Sequence, residues 1–342
     1  MSITIKEIAR RAGVSVGTVD RALHNRGRVR AEIAEQIRKI ASEAGFEPSH
    51  AGRALALAKN PIKIGIIVHM VKRDFMKQIM CGIEDAKTEL EGLGAQICVR
   101  GIESVSASKQ IDAIDELVAD GVHGIAISPA EDISLHQKIH NVSTSNDIPI
   151  ITFNTDMAGS GRLCFVGLDN LQSGRAAAHL MATLINEAGK VAIITGERHN
   201  QACKHRVEGF TAKICESYPG IILGDAKYCY DESELAYKLT VLSITSCPDL
   251  AGIFMCAGGQ TGMCDGLNQL GAASRIKVIA YDLFPATVHG LQSGAIDFVI
   301  DQNAYVQGYK PAILLYDKLF RNKALQQEYM YTDIVIKTKY NI

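Results

Sequence analysis

Nine side chains with ligand-binding chemistry follow apolar, strand-like runs, either directly or at the start of the next helix. They combine basic, amide, carboxylate and hydroxyl groups with one aromatic ring: His69, Arg73, Phe75, Ser128, Asn154, Asp156, Arg206, Asp282 and Gln302. Ligands of parallel α/β sheets bind at the carboxyl ends of the strands, so these side chains are expected to converge. Carboxylates and amides pair with vicinal hydroxyl groups, and a ring face packs on a C–H face. The set therefore predicts a polyol ligand.

The elements that must position this set are alternating strands and helices. Apolar β-rich runs recur at residues 62–68, 95–99, 124–128, 148–153, 163–166, 190–195, 252–256, 277–281 and 298–301, with a last strand at 331–338. Strands that alternate with helices form parallel sheets with right-handed crossovers, and continuous apolar runs are typical of strands covered on both faces. About 280 residues with this many strands exceed one doubly wound domain. We therefore predict two Rossmann-like lobes.

The first 60 residues differ from the rest of the chain in charge. The whole sequence of 342 residues has a formal net charge of -1. Residues 1–60 contain 11 Lys and Arg against 6 Asp and Glu, a net charge of +5, which leaves -6 for the remainder. This asymmetry indicates either a polyanionic partner for the first segment or a solvated helical face.

Helix start and stop signals divide this basic segment into three short helices. Thr4 and Glu7 form a capping box before the first helix, and Gly13 tolerates the positive φ of a sharp turn. Ser15 can cap a second helix, and a third spans about residues 30–44. Two helices joined by a tight glycine turn, with a third packed against them, predict an all-α helix-turn-helix.

Residues 5–23 read IKEIARRAGVSVGTVDRAL, which resembles the headpiece of the LacI/GalR repressor family, and the match continues without a gap to residue 48. The family usually has T-V-S-R where residues 18–21 read T-V-D-R. The resemblance implies that the second helix enters the major groove of double-stranded operator DNA, with Val16, Gly17 and Arg21 at the base-reading positions.

The residue types suggest different roles at the expected DNA contacts. Arg21 can pair bidentately with guanine O6 and N7, Val16 can offer only an apolar contact, and Gly17 has no side chain. Asp20 either pairs with a nearby arginine or accepts a hydrogen bond from cytosine N4. The other contacts, mainly expected on phosphates, are Thr4, Ser15, Thr18, Arg28 and Arg53.

Residues 48–60 are predicted to be a linker that contains a short hinge helix. The segment is Ala-rich, and an isolated helix of this length is marginal in water. In the LacI family the matching helix folds on operator DNA, where paired leucines from two subunits kink the minor groove. Leu55 matches that leucine unless it packs on the body, and Leu57 is the alternative. Gly52 weakens the helix by about 1 kcal/mol.

From about residue 62 onward the pattern resembles the type I periplasmic-binding-protein fold, which forms the body of LacI-family regulators. The resemblance implies that five of the nine side chains match sugar contacts of ribose- and galactose-binding relatives: Phe75, Asn154, Arg206, Asp282 and Gln302. His69 and Arg73 depart from the small or amide residues of those relatives. Gly258 and Gly259 stand where relatives usually have Asn-Asp. The extra cations favour an anionic sugar such as a uronate or a phosphosugar.

No motif for covalent chemistry, a metal or a cofactor stands out. The sequence has no G-x-S-x-G, H-E-x-x-H, C-x-x-C or P-loop pattern. His136 and His140 have i, i+4 spacing but no evident third ligand. Nine cysteines without paired spacing do not indicate a disulfide framework. We therefore expect no enzymatic activity, no metal and no cofactor.

The start of the chain argues against export, because Lys6 and Glu7 interrupt any apolar signal segment. The longest apolar run, residues 62–70, has the length of a strand rather than that of a membrane span. We expect no membrane association and a cytoplasmic location.

These inferences give one predicted organisation. Residues 1–47 form the headpiece, 48–60 the hinge, and 61–342 an effector-binding and dimerisation domain. Its N-lobe covers about 61–168 and 303–332, and its C-lobe about 169–302 and 333–342. We predict a homodimeric, sequence-specific regulator, as a repressor, of carbohydrate-utilisation genes, which binds a pseudo-palindromic operator and a small carbohydrate effector. A stand-alone sugar-binding protein and a sugar-processing enzyme are the alternatives.

Overall fold

The computed structural model describes residues 4–23, 29–44, 61–325 and 327–342, and the chain divides at Asn60 into two compact units. The predicted hinge helix, with Gly52, Arg53, Leu55 and Leu57, lies outside the described residues, as does Arg28.

The first unit contains three helices, α1 (Ile5–Ala12), α2 (Val16–Leu23) and α3 (Ala31–Glu43). Gly13 ends α1 with φ 65°, and Ser15 Oγ accepts a hydrogen bond from the N–H of Thr18 at 3.1 Å. Apolar residues of all three helices form one buried core: Ile8, Ala9, Val19, Ala22, Ala34, Ile37 and Ala41. This is the packing of a helix-turn-helix.

The predicted capping box of α1 is only half formed. Thr4 Oγ1 accepts from the N–H of Glu7 at 3.3 Å, as expected. The Glu7 carboxylate does not return to Thr4 but pairs with Arg10 at 2.6 Å and Arg11 at 3.2 Å. Side chains three and four residues apart lie on the same helix face, so the two arginines compete successfully for this carboxylate.

Two six-stranded sheets form the second unit, and each defines a lobe. The strands of the N-lobe sheet are β1 (Lys63–His69), β2 (Gln96–Ile102), β3 (Gly124–Ile127), β4 (Ile150–Phe153), β5 (Cys164–Leu168) and β11 (Tyr329–Thr332). Their order in the sheet is β11-β5-β4-β3-β1-β2, and all neighbouring strands are parallel. Its helices are α4 (Asp74–Gly92), α5 (Ala107–Ala119), α6 (Ile133–Ser145) and α12 (Ala304–Arg321).

The C-lobe sheet has the order β12-β10-β9-β8-β6-β7, and only β12 is antiparallel to its neighbour. Its strands are β6 (Gly189–Thr195), β7 (Ile221–Tyr228), β8 (Leu250–Met255), β9 (Lys277–Tyr281), β10 (Phe298–Asp301) and β12 (Val335–Lys337). Its helices are α7 (Asn170–Leu184), α8 (Gln201–Ser217), α9 (Ser233–Ser246), α10 (Gln260–Gln269) and α11 (Pro285–Ser293).

The chain passes between the lobes at three crossing segments: β5 to α7, β10 to α12, and β11 to β12. Within the described residues, no helix combines the length and apolar character needed to cross a membrane.

Two strand predictions were incomplete. Strand β7 was not predicted, because it is a sheet edge with an exposed Ile222 and no continuous apolar run. The single predicted strand at 331–338 is two strands that belong to different sheets, separated by the third crossing segment.

Glycine allows two pairs of helices to touch backbone to backbone. On α4, a Cβ added at Gly82 would lie 2.1 Å from the carbonyl oxygen of Tyr305 on α12. In the other lobe, a Cβ at Gly174 on α7 would lie 2.2 Å from the carbonyl oxygen of Arg206 on α8. Both contacts are too short for any side chain, so glycine fixes the depth of these helix crossings.

We expect Gly82→Ala to destabilise the second unit by about 1–3 kcal/mol, because α4 and α12 must move apart. Gly92→Ala on the same helix is the matched control: an added Cβ meets no atom within 4 Å there, and alanine favours a helix by about 0.5–1 kcal/mol over glycine. Urea unfolding of both variants measures the difference. Equal midpoints would contradict the close-contact interpretation.

Candidate functional site

A cavity of about 690 Å³ lies between the two lobes, at the carboxyl ends of their strands. Seven of the nine predicted ligand-binding side chains line it: His69, Arg73, Phe75, Asn154, Arg206, Asp282 and Gln302. The first four belong to segments of the N-lobe sheet and its helices, whereas Arg206 and Asp282 belong to the C-lobe. Most of the predicted ligand-binding side chains therefore lie around one cavity.

Arg206 is the centre of the cavity's hydrogen-bond network. Its guanidinium donates from Nε to Asn170 Oδ1 at 2.8 Å, from Nη1 to the Cys256 carbonyl at 3.1 Å and from Nη2 to Gln302 Oε1 at 2.6 Å. The guanidinium also lies over the Tyr281 ring, 4.1 Å from its centroid. Only 5% of Arg206 is exposed, so these contacts replace its hydration.

Gln302 links this guanidinium to a carboxylate. Its Nε2 donates to Asp282 Oδ1 at 2.6 Å, so one amide bridges Arg206 and Asp282. Asp282 directly follows β9 in a left-handed conformation, with φ 67°. Burial raises the pKa of Asp282 to about 6, although the nearby Arg206 charge and the Gln302 hydrogen bond act in the opposite direction.

The backbone of Gln302 lies in the second crossing segment and touches the third. Its carbonyl accepts hydrogen bonds from Gln307 Nε2 at 2.9 Å and from Thr332 Oγ1 at 3.0 Å. Asn170, which binds Arg206, stands at the end of the first crossing segment. The ligand-facing network is therefore bonded to all three connections between the lobes.

The N-lobe wall of the cavity has polar groups without partners. Neither ring nitrogen of His69 makes a hydrogen bond with the described residues, although both are buried. Burial lowers the pKa of His69 to about 4, so the imidazole is neutral near pH 7. Arg73 is exposed to the cavity and forms no ion pair with the described residues.

Asp231 is a cavity residue that the sequence analysis missed. Its Oδ1 accepts from the N–H of Gly258 at 2.7 Å, and a Cβ added at Gly258 would lie 2.9 Å from the Asp231 Cβ. The glycine that departs from the relatives' Asn-Asp therefore makes room for a carboxylate from another loop. Asp231 follows β7 in the sequence. If β7 had been predicted as a strand, Asp231 would have been among the polar residues that follow strand ends.

Two predicted ligand-binding residues are not part of this cavity wall. Ser128 is fully buried behind the sheet edge, and its carbonyl accepts from Gln110 Nε2 at 2.8 Å. Asp156 turns away to form an ion pair with Arg162, with Oδ2 2.7 Å from Nη2. It lines a neighbouring cavity of about 620 Å³ instead. Their bonding partners, Gln110 and Arg162, hold these two residues away from the main cavity, and their effector-binding role stays a prediction.

Hydrogen bonds also join the lobes on both sides of the cavity. Gln78 Nε2 of α4 donates to the Leu283 carbonyl at 2.5 Å. The N–H of Gln201, at the start of α8, donates to Glu131 Oε1 at 2.8 Å. Burial raises the pKa of Glu131, while this backbone hydrogen bond and the nearby His205 oppose the shift. These contacts hold the lobes close together in this structure.

In the first unit, the predicted base-reading residues share the exposed face of α2. Val16, Gly17 and Arg21 are all exposed, and Val16 retains 46% of its accessible surface. Ser15 and Thr18 stand at the start of the same helix with their hydroxyl oxygens 2.9 Å apart. Thr4 caps α1. The surface thus presents one cation, one apolar side chain and a helix start with hydroxyl groups.

No group of three His, Cys, Asp or Glu side chains among the described residues could hold a metal ion. His136 Nε2 lies 3.2 Å from the Ala158 carbonyl, so this ring is engaged by the backbone.

Asp282→Asn tests the electrostatics of the cavity. The folded protein holds the Asp282 proton up to about pH 6, whereas the ordinary pKa is 3.8. Stability therefore falls as pH rises through this window, because the folded state binds the proton more tightly. Asparagine has no proton to lose in this range, so the stability of the variant does not fall in this way. We therefore expect the difference in stability between the variant and wild type to shift by about 1–2 kcal/mol in favour of the variant between pH 4 and 7.

Urea unfolding at several pH values measures this difference, and Asp225→Asn, which removes an exposed carboxylate on β7, is the control. A stability difference between Asp282→Asn and wild type that does not change with pH would contradict the assigned shift.

Comparison with known proteins identifies two family matches. Residues 4–49 match the bacterial regulatory proteins of the lacI family, and residues 64–323 match the periplasmic binding protein domain. Catabolite control protein A of Staphylococcus aureus is 23% identical over 67% of this chain and 66% of that protein. The HTH-type transcriptional regulator GntR of Pseudomonas aeruginosa is 28% identical over 74% of this chain and 71% of that protein.

A solved structure with the same two-lobed fold is a sugar-binding protein of a sugar ABC transporter from Bacillus halodurans. It superimposes with a TM-score of 0.74 at 26% identity, covering 82% of this chain and 98% of that one.

Proposed function

The chain belongs to the lacI family and is a sugar-responsive transcriptional regulator with a periplasmic-binding-protein domain, and we propose that a carbohydrate in the interlobe cavity controls its binding to operator DNA. The observation that carries this proposal is the bonding of the cavity's Arg206 network to all three crossing segments. A ligand that touches this network acts on the connections that set the angle between the lobes.

The cavity residues divide into two kinds of sugar contact. Asp282 Oδ2 makes no hydrogen bond to the described residues and is free to accept from a sugar hydroxyl. Asn154, which has φ 63°, offers an amide from the opposite lobe. The Phe75 ring, also in the wall, can pack on the C–H face of a pyranose or furanose.

On the DNA side, the surface of α2 provides direct base contact through Arg21 and apolar contact through Val16, with Gly17 beside them. Thr4, Ser15 and Thr18 bind phosphates. Arg28, Arg53 and Leu55 complete the proposed interface from segments outside the described residues. These roles make the first unit the operator-binding headpiece.

The coupling between effector and operator follows from two lobe arrangements. A ligand shifts the equilibrium toward the arrangement that it binds more tightly, and the shift cannot exceed this difference in affinity. Because coupling is reciprocal, operator DNA changes the affinity for the sugar by the same factor. Gln302, which joins the ligand network to two crossing segments, is the residue through which this change passes.

The assembly that fits this function is a homodimer on a pseudo-palindromic operator, in which two headpieces read two half-sites. We divide the second unit as the sequence predicts, into an N-lobe of about residues 61–168 and 303–332 and a C-lobe of about 169–302 and 333–342. The cavity groups act by binding alone, and the regulator is not an enzyme.

Arg21→Ala tests the headpiece. Loss of a bidentate arginine–guanine pair should weaken specific operator binding by about 1–3 kcal/mol, roughly 5- to 150-fold, with a much smaller effect on non-specific DNA. Operator fragments are first selected from the source genome with purified wild-type protein, and affinities are then measured at near-physiological salt. Effector binding must stay unchanged, since equal losses of both activities would indicate misfolding.

Thr332→Val tests the coupling through the crossing segments. Valine keeps the shape of threonine but removes the hydrogen bond to the Gln302 carbonyl, and Thr332 does not line the main cavity. We expect sugar affinity to change less than about threefold, while the sugar-induced change in operator affinity shrinks by about threefold or more. Calorimetry and operator titration with and without sugar separate the two effects.

Thr245→Val, which removes an exposed hydroxyl on α9, is the matched control. Unaltered coupling in Thr332→Val would show that the crossing segments do not carry the signal through this bond.

A further inference from the structure

The two walls of the cavity differ in how completely their polar groups are bonded. On the C-lobe wall, Arg206, Gln302 and Asp282 bond to one another, and Asp231 bonds to the N–H of Gly258. On the N-lobe wall, the donors of Arg73 and His69 have no partner among the described residues. The N-lobe wall thus offers two side chains whose donors a ligand can use.

Arg73 is the unpaired cation in a stretch of otherwise paired charges. Lys72 Nζ lies 2.7 Å from Glu103 Oε1, and Lys77 Nζ lies 2.8 Å from Asp74 Oδ1. Each neighbouring charge is therefore neutralised on the protein surface. Arg73 instead lines the cavity, where its guanidinium offers a fork that suits a carboxylate or a phosphate.

The first turn of α4 reinforces this cation. Arg73 is the N-cap of α4, a helix of 19 residues, and no side chain caps its first N–H groups. Of the C-lobe helices whose first turns line the cavity, α8 is capped by Asn200 Oδ1, which accepts from the N–H of Cys203 at 2.9 Å, whereas α9 and α10 also begin without a side-chain cap. The start of α4 is the one that carries an arginine as its N-cap. An uncapped helix start favours an anion through its free N–H groups and its positive dipole end. Asp74, Phe75 and Met76 of this turn line the cavity.

His69 supplies the third feature at the same wall. It ends β1, four residues before Arg73, and both of its ring nitrogens are buried without a hydrogen bond. A neutral imidazole carries one N–H donor, and a buried donor without a partner costs about 1–3 kcal/mol. The ring lines the cavity, but its nitrogens have almost no accessible surface, so a ligand oxygen removes that cost only if the ring turns toward it.

The opposite wall shows where the anionic group of a ligand would not lie. Asp231 and Asp282 place two carboxylates on the C-lobe side, with the Arg206 guanidinium near Asp282. An anion there would meet like charge, whereas sugar hydroxyls would donate to these carboxylates. Hydroxyl acceptors therefore lie on the C-lobe wall, whereas the N-lobe wall carries Arg73 together with Asp74, whose carboxylate is paired with Lys77 at 2.8 Å.

We propose that the effector is an anionic sugar, a sugar carboxylate or a sugar phosphate, whose anionic group binds Arg73, the first turn of α4 and His69. This inference rests on the proposed sugar-sensing function and adds the ligand's charge and its orientation. The hydroxyl groups face Asp231, Asp282 and Arg206, so the ligand spans both lobes.

The test uses calorimetric titration of the full-length protein with matched ligand pairs. Each pair contains a neutral aldose and its aldonate, uronate or phosphate, so that only the anionic group differs. We expect at least one anionic member to bind about tenfold or more tightly than its neutral parent. Comparing the carboxylate and phosphate members identifies which anion the site takes, and preference for either supports the proposal.

Arg73→Gln should lower the affinity for that anionic sugar by about tenfold or more and leave the affinity for its neutral parent within about twofold. Lys72→Gln removes the same charge from the adjacent residue, whose partner is Glu103, and should change neither affinity by more than about twofold. Equal effects of the two substitutions would reduce the role of Arg73 to general charge and overturn the proposal.

Other outcomes separate this inference from the function on which it rests. Neutral sugars that bind as tightly as their anionic partners, with Arg73→Gln without effect, would overturn the anion site alone. Binding of no sugar from either class, together with operator binding that no sugar changes, would overturn sugar sensing as well.

Discussion

The buried guanidinium of Arg206 is the constraint on which the rest of the binding domain depends. A charge that is almost fully buried must find hydrogen-bond partners for its donors, and here the partners come from separate parts of the chain. Asn170 stands at the first crossing segment, Gln302 at the second, and Thr332 of the third bonds to the Gln302 carbonyl. Satisfying one side chain therefore ties together every connection between the lobes.

Helix packing in the C-lobe also helps to position Arg206. Gly174 on α7 and Gly209 on α8 let the two backbones touch, and an added Cβ at Gly209 would lie 2.0 Å from the carbonyl oxygen of Leu171. The crossing sets how far α8 approaches the first crossing segment, and hence how Arg206 reaches Asn170. A contact that first looks like core packing is thus part of the positioning of the ligand network.

The sequence predicts those features whose causes are local or periodic. Gly13 and Ser15 act within one turn of the chain, and the strand-end rule placed Arg206, Asp282 and Gln302 in one cavity without any knowledge of their partners. Glu7 shows the limit even of local rules, because two arginines on its own helix face compete for its carboxylate.

Two features of the site were not predicted from the sequence, because each depends on contacts that spacing along the chain does not show. Asp156 follows a strand as Asp282 does, yet its carboxylate pairs with Arg162, which lies six residues later in the loop before β5. Asp231 was missed because its strand, β7, is an edge whose exposed positions interrupt the apolar pattern. In each case the outcome depends on which residues meet in three dimensions, a property that spacing along the chain does not contain.

The lobes lie close together in this structure, an arrangement that we call closed, and the hydrogen bonds between them indicate how strongly the protein alone favours it. Among the described residues, two hydrogen bonds join the lobes away from the crossing segments, Gln78 to Leu283 and Gln201 to Glu131. A net contribution of about 0.5–1.5 kcal/mol from each is modest on the scale of a conformational equilibrium. A ligand held by both walls adds contacts that exist only when the lobes are close, so it binds the closed arrangement more tightly.

The uneven bonding of the two walls gives this closure its specificity. On the C-lobe wall, Arg206, Gln302 and Asp282 Oδ1 are bonded in one network before any ligand arrives, so their geometry is fixed by that network rather than by the ligand. The donors of Arg73 and His69 have no such partners in the part of the chain that the structure describes, so under the proposal they bond when a ligand reaches the N-lobe wall. A compound that satisfies the first wall alone can bind without favouring closure, because only contact with the second wall distinguishes the two arrangements.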